Sequence, residues 1–359
     1  MIDELSIALS APPYSLTRDV RQPQLLRGLN RLSALHYEKC TEYRRIIDGF
    51  FGGPGDAASL AEVPYLPVSL FKTQQLRSVP ESDVRVMLTS SGTTGQAVSR
   101  IFLNKETSLI QQKALANSLM HILGKKRLPM LVIDTDAVFR NPAMMSARGA
   151  GVLGIMKYGR NHAFALDEDL QPKPDAVRKF LASLNGEPFF MFGFTFVTWL
   201  YFYEAFKDEG FDLSQGTLIH SGGWKKMIER AVGNEEYRAS FKSAFGLEKI
   251  YNFYGLVEQI GAIFVEGPDG LLHPPNFSDV IIRDPETWET LENGKKGVIQ
   301  LVSLLPHSYP GHSVLTEDIG VIESEDRGVD RWNGKGLRIL GRVPKAELRG
   351  CSDVVAQAA

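Results

Sequence analysis

Cysteine is nearly missing from this chain: Cys40 and Cys351 are the only two in 359 residues. That excludes a disulfide framework and a cysteine-rich zinc site. An excess of one charge is also missing, since 40 Lys and Arg stand against 42 Asp and Glu for a net charge of −2. A nucleic-acid binder working through a broad basic face is therefore not expected. The first residues, MIDELSIALSAPPYSL, are acidic and hold no basic stretch ahead of an apolar core, so no secretory signal is expected. The most apolar stretch, residues 188–206, is interrupted by Gly193 and carries Thr195, Thr198 and Glu204. It reads as a buried or pocket-lining segment rather than a membrane span. No repeat or low-complexity tract is present. A soluble, cytoplasmic protein is the expectation.

What is there suits a globular protein. A hydrophobic content of 43% supports a sizeable core, and the length allows two or so domain-sized units. Residues 16–49 read as amphipathic helix and 54–67 as loop. Val84 to Leu88 reads as a strand. A helix is expected to open near Asn104, a plausible N-cap, and to run to about Leu123. Met130 to Asp134 is a short apolar run ending in a carboxylate, the pattern of a buried strand. Val177, Phe180, Leu181 and Leu184 fall at helical spacing behind Pro174. Strand-like runs recur at 217–220, 249–254, 280–283, 298–302 and 337–340, several separated by helices. This alternation predicts an α/β fold with mainly parallel sheets. From about Asp279 onward short strands and turns dominate.

Five segments could carry chemistry. Ser90-Ser91-Gly92-Thr93-Thr94-Gly95-Gln96 interleaves hydroxyls with glycines, a composition able to grip phosphate oxygens through backbone N–H and side-chain groups. No Gly-Lys-Ser/Thr follows it, so it is not a P-loop, and it is not G-x-G-x-x-G. Alone it would be read as a flexible turn. His220-Ser221-Gly222-Gly223-Trp224-Lys225-Lys226 places a Gly-Gly turn and cations at a strand end, where ligands of open α/β sheets bind. The simpler reading is a tight turn with solvated lysines. Tyr254-Gly255-Leu256-Val257-Glu258 offers an aromatic that can lie against a base and a carboxylate suited to Mg²⁺ with substrate phosphates. The simpler reading is a core aromatic strand with one surface carboxylate. Thr316-Glu317-Asp318 offers an acceptor for a ribose diol, and Gly341-Arg342 a cation for phosphate or ribose. Cys351 follows Arg349 and Gly350, and a nearby cation favours its thiolate.

In this order the segments resemble the adenylate-forming superfamily of acyl-CoA synthetases, peptide-synthetase adenylation domains and luciferases. Each motif is weak alone; five in order over about 250 residues are specific. Within that superfamily the chain most resembles the acyl-protein synthetases of bacterial bioluminescence operons, the acid-activating subunits of a fatty-acid reductase complex. Residues 63–72, the loop Ser90 to Gln96, Ser221 to Lys225 and Arg349-Gly350-Cys351 carry that closer likeness. The likeness covers roughly residues 60 to 351.

The resemblance implies an ATP-dependent ligase in which Ser90, Ser91, Gly92, Thr93, Thr94, Gly95, Gly222, Gly223, Tyr254, Gly255, Asp318 and Arg342 bind the nucleotide. Glu258 would hold Mg²⁺, and Phe192, Phe194 and Trp224 would line the acyl site. Cys351 would take the acyl group as a thioester for a partner reductase. The implied organisation is an adenylate-forming N-terminal-type domain over 1–342, with a β-rich part at about 279–340, and a tail at 343–359 carrying Cys351.

There are departures from the pattern. Gln96, Ala97, Val98 and Ser99 occupy positions where many relatives hold lysines, and Gly341-Arg342 continues with Val343-Pro344 rather than x-Asp. The chain ends 17 residues after Arg342, so the mobile C-terminal domain of about 100 residues, with its catalytic lysine, is expected to be absent. Lys225 is the candidate for the missing charge. An acyl- or aryl-CoA ligase of the phenylacetate type and a non-catalytic nucleotide-binding subunit remain as alternatives. The identity of the carboxylic acid and the oligomeric state, homo- or hetero-oligomer included, stay open.

Overall fold

The computed structural model describes residues 3–90, 98–137, 147–224, 229–330 and 332–343. It divides into two compact units, Met1–Ser118 with Gly255–Ala359, and Leu119–Tyr254.

The chain begins in the first unit with helices Asp3–Ser10, Arg18–Lys39 and Thr41–Phe51. The helical stretch expected over 16–49 is therefore two helices. They meet at Cys40, whose extended backbone (φ −120°, ψ 107°) ends one and starts the next. Leu25, Leu29 and Leu32, at i, i+4 and i+7, form one face and are fully or almost fully buried. Strands β1 (Leu66–Pro67), β2 (Val84–Thr89) and β3 (Arg100–Asn104) follow. β2 and β3 pair as an antiparallel hairpin, Thr89 opposite Arg100. Strand β3, not expected from the sequence, lies between the Ser90 to Gln96 loop and the expected helix, which runs Lys105–Leu123. Ile101 and Leu103 alternate inward from β3 and are buried, while Asn104 does cap the helix, its Oδ1 accepting the Thr107 N–H at 2.9 Å.

The second unit is a parallel sheet. Strands β4 (Leu128–Thr135), β5 (Gly159–Leu166), β6 (Phe189–Phe194), β7 (Gly216–Ser221) and β8 (Lys249–Tyr254) lie in the order β5-β4-β6-β7-β8, every pair parallel. Helices Ala147–Met156, Pro174–Ser183 and Asn234–Phe245 make crossovers. β6 reads as an unbroken apolar run and every residue of β7 is buried, as expected where both faces of a strand are covered. The apolar stretch 188–206 is β6 followed at once by a helical run, Thr195–Val197, a π-helical Thr198–Tyr203 and Glu204–Phe206. Strand order reverses between β4 and β6, so their carboxyl ends form a switch point where ligands of open sheets bind.

The chain then returns to the first unit with β9 (Phe264–Glu266), β10 (Leu272–His273), β11 (Ser278–Arg283), β12 (Lys296–Ser303), β13 (Ser313–Glu325) and β14 (Lys335–Arg342). They run β11-β12-β13-β14-β10-β9 and all pair antiparallel, with β1 beside β13 in parallel. Among the described residues no helix is long and apolar enough to cross a membrane.

Candidate functional site

Geometry in the first unit begins at the hairpin neck. The Ser90 N–H donates to the Ser99 carbonyl at 3.2 Å, and the Ser99 N–H donates to the Ser90 hydroxyl at 2.9 Å. Ser90 therefore pins the base of the loop. Ser91, Gly92, Thr93, Thr94 and Gly95 lie outside the described residues.

Glu258 sits in the short 3₁₀ turn Val257–Gln259 and is only 3% exposed. The turn is fastened by Gln259, whose Nε2 donates to the carbonyls of Leu301 (3.1 Å) and Gly311 (2.9 Å). Close passage of the chain at Gly261 also fixes it, since φ is +87° and a Cβ would fall 2.6 Å from the Gln111 carbonyl oxygen. Burial pushes the Glu258 carboxyl above the usual carboxylate range, and Glu317 adds to this. Ser99, whose buried hydroxyl faces it without reaching hydrogen-bond geometry, and the Lys72 cation pull the other way. A lone buried carboxylate suits Mg²⁺ shared with nucleotide oxygens and water. An all-protein metal cage is not found: no group of three acidic, His or Cys side chains is placed for one among the described residues.

Asp318 and Arg342, 24 residues apart in sequence, face each other directly across β13 and β14. Arg342 Nε donates to Asp318 Oδ1 at 3.3 Å; Asp318 is 13% exposed and Arg342 76%. The Thr316 hydroxyl donates to the Ile299 carbonyl (2.8 Å) and accepts the Asp318 N–H (3.1 Å), which fixes the strand beneath the carboxylate. Gly341 carries φ +146°, and the ladder shifts register between Ile319 and Gly320. The result is an anchored acceptor beside an exposed guanidinium, an arrangement able to hold a diol and a phosphate.

In the second unit β7 ends at Ser221, whose hydroxyl donates to the Phe253 carbonyl at 2.8 Å. Gly222 turns with φ +88°, and a Cβ there would meet the Phe194 ring at 3.4 Å. Gly223 has open space where a side chain would go. Phe192 is 1% exposed and meets the half-buried Phe194 edge to face, centroids 5.9 Å apart. Trp224 is half-buried and stands edge to face with Trp199 at 6.2 Å. Tyr254, half-buried, ends β8, and Gly255 beyond it is exposed. Lys225 and Cys351 lie outside the described residues.

The reading of the sequence assigned no role to a polar cluster in this unit. Thr195, Thr198, His220 and Tyr237 are all buried and bonded to one another. Thr195 and Thr198 stood out as polar intrusions in an apolar run, but their pairing with His220 and Tyr237 needs the fold. In the first unit an open polar cleft of about 390 Å³, lined by residues including Lys39, Glu42, Gln75 and Arg77, holds none of the residues singled out from the sequence.

The fold is the one seen in solved adenylate-forming ligases. Its solved neighbours include 2-hydroxyisobutyryl-CoA ligase in the postadenylation state with 2-HIB-AMP, with a TM-score of 0.67 at 16% identity over 92% of this chain and 69% of that one. An open conformation of the same ligase with 2-HIB-AMP and CoA gives 0.66 at 17% over 92% and 72%. The chain belongs to the LuxE family of acyl-protein synthetases, whose family model matches residues 1–359, and it is by that membership a ligase. Relatives include the long-chain-fatty-acid–luciferin-component ligases of Aliivibrio fischeri, 22% identical over 333 residues (88% of this chain, 84% of the relative), and of Vibrio harveyi, 24% over 346 (90% and 85%).

Proposed function

We propose that this chain activates a fatty acid with ATP and then carries the acyl group on Cys351. The family match over the whole chain carries this reading. A carboxylate oxygen attacks the α-phosphorus of ATP and pyrophosphate leaves, giving acyl-AMP. The Cys351 thiolate then attacks the acyl carbonyl and AMP leaves, giving a thioester that a partner reductase consumes.

The role of each residue follows from what it offers. Asp318 accepts from the ribose hydroxyls, and Arg342 swings between Asp318 and a phosphate oxygen. The loop on the β2–β3 hairpin, from Ser90 through Ser91, Gly92, Thr93, Thr94 and Gly95, cradles the leaving pyrophosphate. Glu258 holds Mg²⁺, which supplies charge neutralisation on the phosphates. Gly222, Gly223, Tyr254 and Gly255 leave room for the adenine and flank it. Phe194 and Trp224 border the acyl chain, and Phe192 supports Phe194 from the core. Lys225 supplies positive charge to the adenylation step.

The test is to incubate the protein with ATP, Mg²⁺ and labelled fatty acids. Label that survives denaturation and is released by hydroxylamine is expected. Cys351→Ser should abolish it while leaving carboxylate-dependent ATP–pyrophosphate exchange intact. Label in Cys351→Ser equal to wild type would sink the cysteine assignment, and CoA-dependent AMP release without labelled protein would favour a CoA ligase.

A further inference from the structure

The buried cluster around His220 holds a donor with nothing to donate to. His220 lies at the carboxyl end of β7, level with Gly193 of β6, one residue before the Ser221-Gly222-Gly223 turn. Its ring stacks on Tyr237, centroids 4.6 Å apart, and is 2% exposed. Nδ1 lies 2.9 Å from the Thr195 hydroxyl. Nε2 is buried with no hydrogen-bond partner among the described residues.

The network fixes the tautomer. The Thr198 hydroxyl donates its one proton to the Thr195 carbonyl at 2.8 Å, so it accepts from the Tyr237 hydroxyl at 2.6 Å. Among the described residues Thr195 has only His220 as a side-chain partner. If Nδ1 carried the proton, both the Thr195 hydrogen and the Nε2 lone pair would go unmet. If Thr195 donates to Nδ1, only one group, the Nε2 proton, goes unmet, and this arrangement costs less. Burial, followed by the charge of Arg238, depresses the ring pKa to about 3, so the imidazole is neutral at physiological pH.

Tyr237, on which the ring stacks, lies 5.6 Å from Trp199, which meets Trp224 edge to face at 6.2 Å, so the isolated N–H belongs to an aromatic cluster that suits a ligand with one polar end and an apolar body. The ring is held from two sides, by Thr195 and by Tyr237, and the helical run that carries Thr195 and Thr198 is π-wound at Thr198–Tyr203, a deviation that often marks functional positions.

We propose that His220 Nε2–H donates a hydrogen bond to the carboxylate of the acyl substrate and orients it for adenylation. This rests on the function proposed above. A neutral imidazole donates without neutralising the nucleophile, which a cation at that place would do.

The experiment compares carboxylate-dependent ATP–pyrophosphate exchange of the full chain, His220→Ala and His220→Gln over saturated fatty acids from hexanoate to hexadecanoate. His220→Ala should raise the KM for the acid by about tenfold or more, the loss expected for a hydrogen bond to a charged group, with the KM for ATP unchanged. His220→Gln, which keeps an N–H donor, should recover much of it. A second readout needs no turnover. In protein with ¹⁵N-labelled imidazoles, the His220 Nε2 resonance, identified among the seven histidines by its loss in His220→Gln, should shift on adding decanoate without ATP. This measurement decides the matter if His220→Ala does not fold. An unchanged acid KM in both variants, an equal rise in the KM for ATP, or an Nε2 resonance unmoved at saturating decanoate overturns the proposal. If the wild-type chain exchanges with no carboxylate at all, the proposed function falls instead, and the decanoate titration still decides whether His220 meets an acyl carboxylate.

Discussion

Asp318 and Arg342 show what a single pair contributes. Their ion pair is solvent-open on the Arg342 side, so it is worth about 0–1 kcal/mol to stability. Its value lies in positioning: Thr316 holds the strand, so Asp318 meets an incoming diol without reorganising. Asp318→Ala should therefore leave the melting temperature nearly unchanged. It should raise the KM for ATP in the exchange assay by about tenfold or more, the scale of a lost hydrogen bond to a charged group. A fall in stability with an unchanged KM would mark the pair as structural. Glu258 differs because it is buried. Burial pushes its carboxyl above the usual carboxylate range, and a cation bound beside it would favour the charged form.

At the scale of the element, the β2–β3 hairpin and the 255–262 turn hold the proposed phosphate-side groups, and each depends on one local device. Asn104 caps the helix that follows the hairpin. Asn104→Ala should cost about 1 kcal/mol of unfolding free energy in urea, typical for a lost N-cap. Gly261 lets the turn pass against the Gln111 backbone with a positive φ. Gly261→Ala should cost at least about 2 kcal/mol, from left-handed strain and a backbone clash together, and should lower exchange activity as Glu258 moves. A Gly261→Ala protein as stable as wild type would contradict the geometry of this turn. Helical periodicity made the helix Pro174–Ser183 legible in the sequence, a strand-like run did the same for β7, and for β6 the apolar stretch 188–206 showed burial but not strand. Strand β3 was not legible. Five residues between a Ser/Gly loop and a helix carry too short a period to separate from a helix lead-in.

For the molecule as a whole, buried neutral histidines set the response to acid. His36 is held well below 6.5, first by burial and then by His312. Burial takes His312 to about 3, and His220 lies at about 3 as well. In the unfolded chain each regains its ordinary pKa of 6.5. The unfolded state therefore binds more protons below pH 6.5, and the folded state loses stability as pH falls from there toward 3. Each such group costs up to about 1.4 kcal/mol per pH unit in that window. The urea midpoint should fall steeply from pH 6.5 to pH 5, with little change between pH 7 and pH 8. His312→Gln should flatten that slope; a slope unchanged in this variant would show that His312 is not buried neutral.

The sequence by itself determined the class of this protein. Five short motifs in a fixed order, an alternating α/β pattern, and a scarcity of cysteine and of charge bias are properties of the chain in one dimension, and folding does not alter them. It also located the buried strand at Met130–Asp134, because burial selects unbroken apolar runs. Tertiary structure decided what each motif residue meets. Asp318 faces Arg342 because of the β13–β14 register, a long-range pairing with no local signal. Glu258 has its pKa raised because Gln259 and the glycine turn draw it out of water. His220 Nε2 finds no partner among the described residues, while Thr195, on a different strand-to-helix junction, occupies its other nitrogen. Desolvation and pairing are properties of neighbours, and neighbours distant in sequence are fixed only when the chain folds.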